Sequence, residues 1–226
     1  MTVQDDKRAA AWAAAEEVTD GMVVGLGTGS TAAFLIARLA DRVRGGLRIT
    51  AVATSLATER AARDAGIMVV AFDDLAEIDL AIDGVDEIDP QLRAVKGAGG
   101  AMLREKIVAA AARRMIAIAD GSKRVAVLGA APVPIEVLPL ARAFVAAQLE
   151  SLGGSARLRV IEGRSYRTDQ DNAVLDCVFP DHPDLAALAT QLSQIPGVLG
   201  HGLFLSEIDC AYISAAGVVT RLDRTS

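Results

Sequence analysis

Through the first half of this 226-residue chain, short apolar runs of strand length alternate with segments of helical period. The runs cover 22–27, 47–54, 67–72, 80–83 and 115–119, and the helix-period segments cover 4–18, 30–43, 56–65 and 101–113. A strand followed by a helix and another strand returns in the same direction, so the alternation predicts a parallel sheet with helices on both faces. Glycines fall where such helices should stop, at Gly45-Gly46 and Gly66, since a left-handed cap suits a residue without a Cβ.

The pattern changes after Leu128. Gly129-Ala130-Ala131-Pro132-Val133-Pro134 marks a boundary, followed by a predicted helix over 139–151, a strand over 156–161, a polar turn over 167–172, a strand over 173–179, a helix over 184–194 and a strand over 203–206. The tail, 211–214 and 218–222 about the turn 215–217, reads as a hairpin that returns to the first sheet. The expected organisation is an α/β domain from 1–128 with 207–226, and a small α+β lid domain over 129–206.

Composition excludes several function classes. With 52% hydrophobic residues the chain can bury a full core, and a net charge of -6 at pH 7 argues against a general nucleic-acid surface. The start, Met1-Thr2-Val3-Gln4-Asp5-Asp6-Lys7-Arg8, carries acids where a secretory signal needs positive charge, so a cytoplasmic location is expected. The longest uncharged stretch, 185–206, is interrupted by glutamines, Pro196 and glycines, and no membrane span is expected. Cys177 and Cys210 read as reduced core thiols, and His182 and His201 are too few and too far apart for a zinc cluster. His182 sits in a turn-like Pro180-Asp181-His182-Pro183.

Four clusters carry the chemistry. Gly27-Thr28-Gly29-Ser30-Thr31-Ala32 follows a predicted strand and opens a predicted helix, where backbone N–H groups can meet an anion and the hydroxyls add donors. The same letters fit a dinucleotide pattern, but the second strand ends in Thr54-Ser55 without the acid that would hold a ribose; a plain tight turn capped by Ser30 is the bland alternative. Asp83 and Asp86 follow a buried strand, where acids project into the crevice of an α/β sheet; a charged turn is the alternative, which Glu87 and Asp89 illustrate. Lys96-Gly97-Ala98-Gly99-Gly100 is a second glycine-rich loop, with an ammonium that could stabilise a substrate oxygen. Glu105 comes early on the next helix and could face the loop, while Arg104 and Lys106 point elsewhere; a first-turn acid serving the helix dipole is the alternative. Lys123 follows Asp120-Gly121-Ser122 beyond another strand end and could equally be a solvated lysine.

Taken in order over nearly its whole length, these motifs make the chain resemble ribose-5-phosphate isomerase of the A type. The resemblance implies a Rossmann-like α/β domain plus a smaller ferredoxin-like α+β domain, commonly as a homodimer or homotetramer. It implies interconversion of D-ribose 5-phosphate and D-ribulose 5-phosphate, in the non-oxidative pentose phosphate pathway, without metal or organic cofactor. Glu105 would shuttle a proton between C2 and C1 through an enediol, Asp83 and Asp86 would hold the sugar and assist ring opening, and Lys96 would stand beside the developing oxyanion. Thr28, Gly29, Ser30, Thr31, Gly84, Val85, Gly97, Ala98, Gly99 and Lys123 would contact substrate, and Lys7 would reach its phosphate. Ala98 replaces a glycine common in the second loop, so position 98 is expected not to need positive φ, and Val85 replaces a frequent alanine. Sugar-phosphate deaminases, acyl-CoA transferases and a non-catalytic sugar-phosphate sensor are the competing readings. They would call respectively for a histidine at the site, a covalent glutamyl adduct and no proton exchange.

Overall fold

A computed structural model describes residues 1–180 and 184–224. The first half contains α1 (Val3–Ala15), β1 (Val23–Leu26), α2 (Ser30–Arg44), β2 (Thr50–Ala53), α3 (Leu56–Asp64), β3 (Leu80–Gly84), the short β4 (Glu87–Ile88) and β5 (Ala94–Val95), α4 (Met102–Ala111) and β6 (Met115–Asp120). There follow β7 (Val133–Val137), α5 (Arg142–Ser151), β8 (Ser155–Leu158), β9 (Val160–Ile161), β10 (Arg164–Ser165), β11 (Ala173–Val178), α6 (Leu185–Gln194), β12 (Val198–His201), β13 (Leu203–Phe204), β14 (Cys210–Ala215) and β15 (Val218–Asp223).

The main sheet has six strands in the order β15-β14-β6-β3-β1-β2, parallel except for β15. The chain moves from β1 outward to β2 and then back across to β3, so the order reverses between β1 and β3. A crevice opens at the carboxyl ends of two such strands, because the helices leaving them diverge. Both faces are covered. On one, Leu26, Ile82 and Ile116 pack with Leu35 and Leu39 of α2 and the alanines of α1; on the other, Ala81 and Ala117 pack with Val108 and Ala109 of α4. Helix α1 starts in a reciprocal cap between Thr2 and Asp5, and its buried Ala10, Ala11, Ala14 and Ala15 let it lie close to the sheet.

The second sheet, β12-β7-β11-β8, is antiparallel and packs α5 and α6 on one face over Ile135, Val145, Leu149, Leu175 and Leu188. Its β-α-β-β-α-β path is the ferredoxin-like arrangement. The tail hairpin returns to the main sheet, where β14 runs parallel to β6. A three-stranded patch, β13-β5-β4, ties the two regions together.

Some expectations need correction. The run 67–72 is not a strand. It makes a single bridge, Val69 to Ala51, at the open edge of β2, leaving Met68 and Val70 exposed. The reading of 129–134 as a boundary overlooked β7, whose Pro134 sits near the strand start, where a missing N–H does little harm. Strand β12 was hidden by Gly197 and Gly200, and only 203–204 of the expected strand 203–206 pairs. Nor are Glu87 and Asp89 solvated turn acids. Glu87 accepts from the Gly129 and Ala131 N–H groups, Asp89 from those of Gln91 and Arg93, and both are buried. No helix among the described residues is long and apolar enough to cross a membrane. His182 lies outside the described residues.

Candidate functional site

Strand β1 ends at Leu26 and β3 at Gly84, so the Gly27–Gly29 turn and the Asp83–Asp86 turn meet at the crevice between them. Gly27 has no alternative there: a Cβ at this position would lie 1.9 Å from Asp83 Oδ1. The closeness lets the Thr28 N–H donate to Asp83 Oδ1 at 3.0 Å, beside the Gly84 N–H at 2.7 Å. Gly29 precedes α2 with a φ of 105°, a left-handed conformation that suits glycine. Ser30 is therefore the first residue of α2 rather than its cap, and its Oγ accepts from Lys7 Nζ at 2.9 Å.

Three charges share the interior behind this turn. Lys96 is 2% exposed; its Nζ stands 2.9 Å from Asp83 Oδ2 and 3.3 Å from Glu105 Oε2, and it donates to the Gly84 carbonyl. The Lys96 backbone is anchored by its N–H to Gly202 O at 2.8 Å. Glu105 is 5% exposed on the first turns of α4, and its Oε2 accepts no well-aligned hydrogen bond. An ion pair holds it while leaving proton-accepting capacity unspent.

Burial and the neighbouring Asp83 carboxylate outweigh the attraction of Lys96 and push the Glu105 carboxyl up to about 8. Burial likewise raises Asp83, against the pull of Lys96 and two backbone N–H donors. For Lys96 burial works the other way, but Asp83 and Glu105 prevail, so its pKa is raised and it stays an ammonium. One cation between two carboxylates leaves the cluster a natural place to store one proton.

A cavity of about 210 Å³ opens onto this cluster. Every expected site residue lines it except Asp83: Lys7, Thr28 to Thr31, Gly84 to Asp86, Lys96 to Gly99, Glu105 and Lys123. Asp83 stands behind Lys96 and holds it, so its position suits it to orienting the ammonium rather than gripping a ligand. A larger groove of about 660 Å³, lined by Val95, Leu128, Leu188 and other uncharged residues, offers no titratable side chain among the described residues. Chemistry, not volume, picks out the smaller cavity. Arg104 and Lys106 do face elsewhere: Arg104 lines a separate pocket with Phe72 and Ile107, and Lys106 Nζ donates to Leu203 O and to Glu207 at 2.8 Å. His201 is buried against Ser193 and lines a different groove. Among the described residues, no three His, Cys, Asp or Glu side chains are gathered as a metal would require.

The second glycine loop is held by the segment that follows β8. Arg159 Nη1 donates to Gly97 O and Ala98 O, each at 3.0 Å, and Tyr166 OH donates to Gly99 O at 3.2 Å. Gly97 and Gly100 adopt positive φ and Ala98 does not, as its side chain requires. Sequence reasoning missed Arg159, Tyr166 and Gly202. Each lies far along the chain from the motif it supports, so no local pattern marks it.

The family model described as "Ribose 5-phosphate isomerase A (phosphoriboisomerase A)" matches residues 50–217. Curated relatives named ribose-5-phosphate isomerase A include one from Sphingopyxis alaskensis, 50% identical over 214 residues, covering 95% of this chain and 94% of that protein. Another, from Methylorubrum extorquens, is 48% identical over 223 residues, covering 96% and 94%. Among solved structures, a D-ribose-5-phosphate isomerase in complex with phospho-erythronic acid superposes with a TM-score of 0.95 at 35% identity, covering 99% of this chain and 100% of that one. The ribose 5-phosphate isomerase from Plasmodium falciparum gives a TM-score of 0.95 at 34% identity, with the same coverage.

Proposed function

We infer that this chain, which belongs to the ribose 5-phosphate isomerase A family, interconverts D-ribose 5-phosphate and D-ribulose 5-phosphate with Glu105 as the base that carries a proton between C2 and C1. The observation that carries the assignment of Glu105 is its burial 3.3 Å from Lys96, on the wall of a cavity rich in glycine backbone, hydroxyls and ammonium groups. An aldose becomes a ketose by losing a weakly acidic C–H proton beside a carbonyl and regaining it on the neighbouring carbon. That demands a base of raised pKa and a fixed positive charge where the enediolate oxygen develops.

In this reading Glu105 takes the C2 proton, Lys96 stabilises the C1 oxygen that becomes negative, the proton of the C2 hydroxyl passes to that oxygen so that the carbonyl forms at C2, and Glu105 returns its proton to C1. Asp83 keeps Lys96 aimed, and Asp86 hydrogen-bonds the sugar and assists ring opening. The phosphate sits among Lys7, Ser30, Thr31 and Lys123, with the N-terminal turn of α2 adding N–H groups. Its binding energy, remote from the reacting carbons, holds them in register.

The test combines turnover with exchange. In buffer containing EDTA, the protein should convert ribose 5-phosphate to ribulose 5-phosphate and exchange the C2 hydrogen with solvent. Glu105→Gln should still bind the sugar phosphate but lose roughly 10²- to 10⁴-fold in kcat, the usual worth of a general base. Undiminished exchange in that variant removes Glu105 from the role.

Residues 129–206 are proposed as a lid domain on a catalytic domain of 1–128 with 207–226. A homodimer or homotetramer is proposed, supported by Leu138, Leu140 and Phe144, large apolar side chains left exposed close together in the chain. A cytoplasmic location suits an enzyme of sugar-phosphate metabolism.

A further inference from the structure

Gly97, Ala98, Gly99 and Gly100 have almost no side chain with which to hold their own loop in place, and such a loop loses much conformational freedom when it orders. Its order is imposed from outside. The peptide joining Gly97 to Ala98 is gripped at both ends: its carbonyl accepts from Arg159 Nη1 at 3.0 Å, and its N–H donates to Asp86 Oδ2 at 2.8 Å. A peptide unit is planar and its C=O and N–H point in opposite directions, so fixing both ends fixes the plane. A cationic donor on the carbonyl also polarises the unit and strengthens the N–H as a donor.

The grip is itself rigid. The Arg159 side chain is 10% exposed, and its guanidinium forks onto Asp176, with Nε 2.9 Å from Oδ2 and Nη2 on Oδ1. The Arg159 backbone donates to Val174 O and accepts from the Tyr166 N–H, each at 2.9 Å.

We propose that Arg159, locked by Asp176, is a positioning residue for the isomerisation: acting through the 97–98 peptide, it sets the orientation of the Asp86 carboxylate toward the bound sugar. Arg159 does not line the cavity, so it acts only through the loop. The proposal rests on the isomerase reading and on Asp86 meeting the sugar.

A double-mutant cycle on the full-length protein tests it, reading kcat/KM for ribose 5-phosphate. Arg159→Met should lower kcat/KM by about 10- to 100-fold, the scale of a misplacement of about 1 Å in a catalytic constellation. In an Asp86→Ala background the same substitution should cost less than about threefold, because its target is gone. A general weakening of the lid would multiply equally in both backgrounds, and that result overturns the proposal, as does an unimpaired Arg159→Met. Arg157→Met, on the exposed side of β8, should retain full activity; an equal loss there assigns the effect to lid charge and also overturns it. Should Arg159→Met fail to fold, Arg159→Lys, which keeps charge and stem but loses the fork, is judged by the same two comparisons. Wild-type turnover and Glu105→Gln are measured alongside. Loss of the isomerase reading shows as a wild type without exchange, whereas failure of this proposal leaves exchange and the Glu105→Gln defect in place.

Discussion

Glu105 and Asp83 compete for one ammonium in a space that water barely reaches, and the competition has consequences that can be titrated. Because Glu105 must be ionised to accept a proton and its carboxyl is pushed up to about 8, kcat/KM should rise with pH and level off above about 8. A profile already flat from pH 6 would contradict this. The same shift bears on stability. Folding raises this pKa above its ordinary 4.5, so the folded state holds the proton more tightly, and the stability this contributes is present below about 4.5 and lost as pH rises through about 8. Glu105→Gln, which never ionises, should therefore melt above the wild type at pH 9, with the gap closing toward pH 5. Gly27 offers a steric test of the same cluster. Gly27→Ala places a methyl 1.9 Å from Asp83 Oδ1, so Asp83 must leave its N–H donors and Lys96 with it; kcat/KM should fall by about 10²-fold. Unchanged kinetics would show that the placement of Asp83 is immaterial.

Helix α1 brings a distant ammonium to the cavity, and Asp6 decides where that helix sits. Asp6 accepts from Ser214 Oγ and from the Gly217 N–H, each at 2.8 Å, and from the Ala216 N–H at 3.2 Å, pinning α1 to the β14–β15 turn. The next residue, Lys7, is thereby delivered to Ser30. The Gly217 and Ser214 hydrogen bonds hold the Asp6 carboxyl below its ordinary 3.8, so the stability it confers is present above 3.8 and lost as pH falls through its folded value. Asp6→Ala should unfold at lower urea at pH 7 and raise KM, with the stability difference vanishing in strong acid. Equal urea midpoints at pH 7 would refute the pinning. Element by element, the helices were legible because their apolar period and glycine stops are local signals. Strands β7 and β12 were not, since Pro134, Gly197 and Gly200 read as breakers until tertiary pairing overrides them.

At the scale of the molecule, the second sheet is inserted in the chain between two neighbouring strands of the main sheet, β6 and β14. Residues of this insertion thus reach back to the main domain's loops: Arg159 and Tyr166 to the glycine loop, and Asp169 to the N–H of Leu56 at the start of α3 at 2.7 Å. The exposed Leu138, Leu140 and Phe144 bear on assembly. Light scattering at micromolar concentration should give the mass of two or four chains, and Leu140→Glu should shift it toward one; a wild-type monomer would end that proposal.

The amino-acid order alone determined the layered α/β class, the strand-end placement of Gly27, Asp83 and Asp86, and the chemical kinds assembled there, because periodicity and turn chemistry act over a few residues. Only the tertiary structure decided that Asp83 lies behind Lys96 rather than on the cavity wall, that Glu105 is buried enough to keep a proton near neutrality, and that Arg159 grips a loop some 60 residues away. Burial, dielectric and long-range contact depend on which distant segments come to rest together, and no local window of the chain contains them.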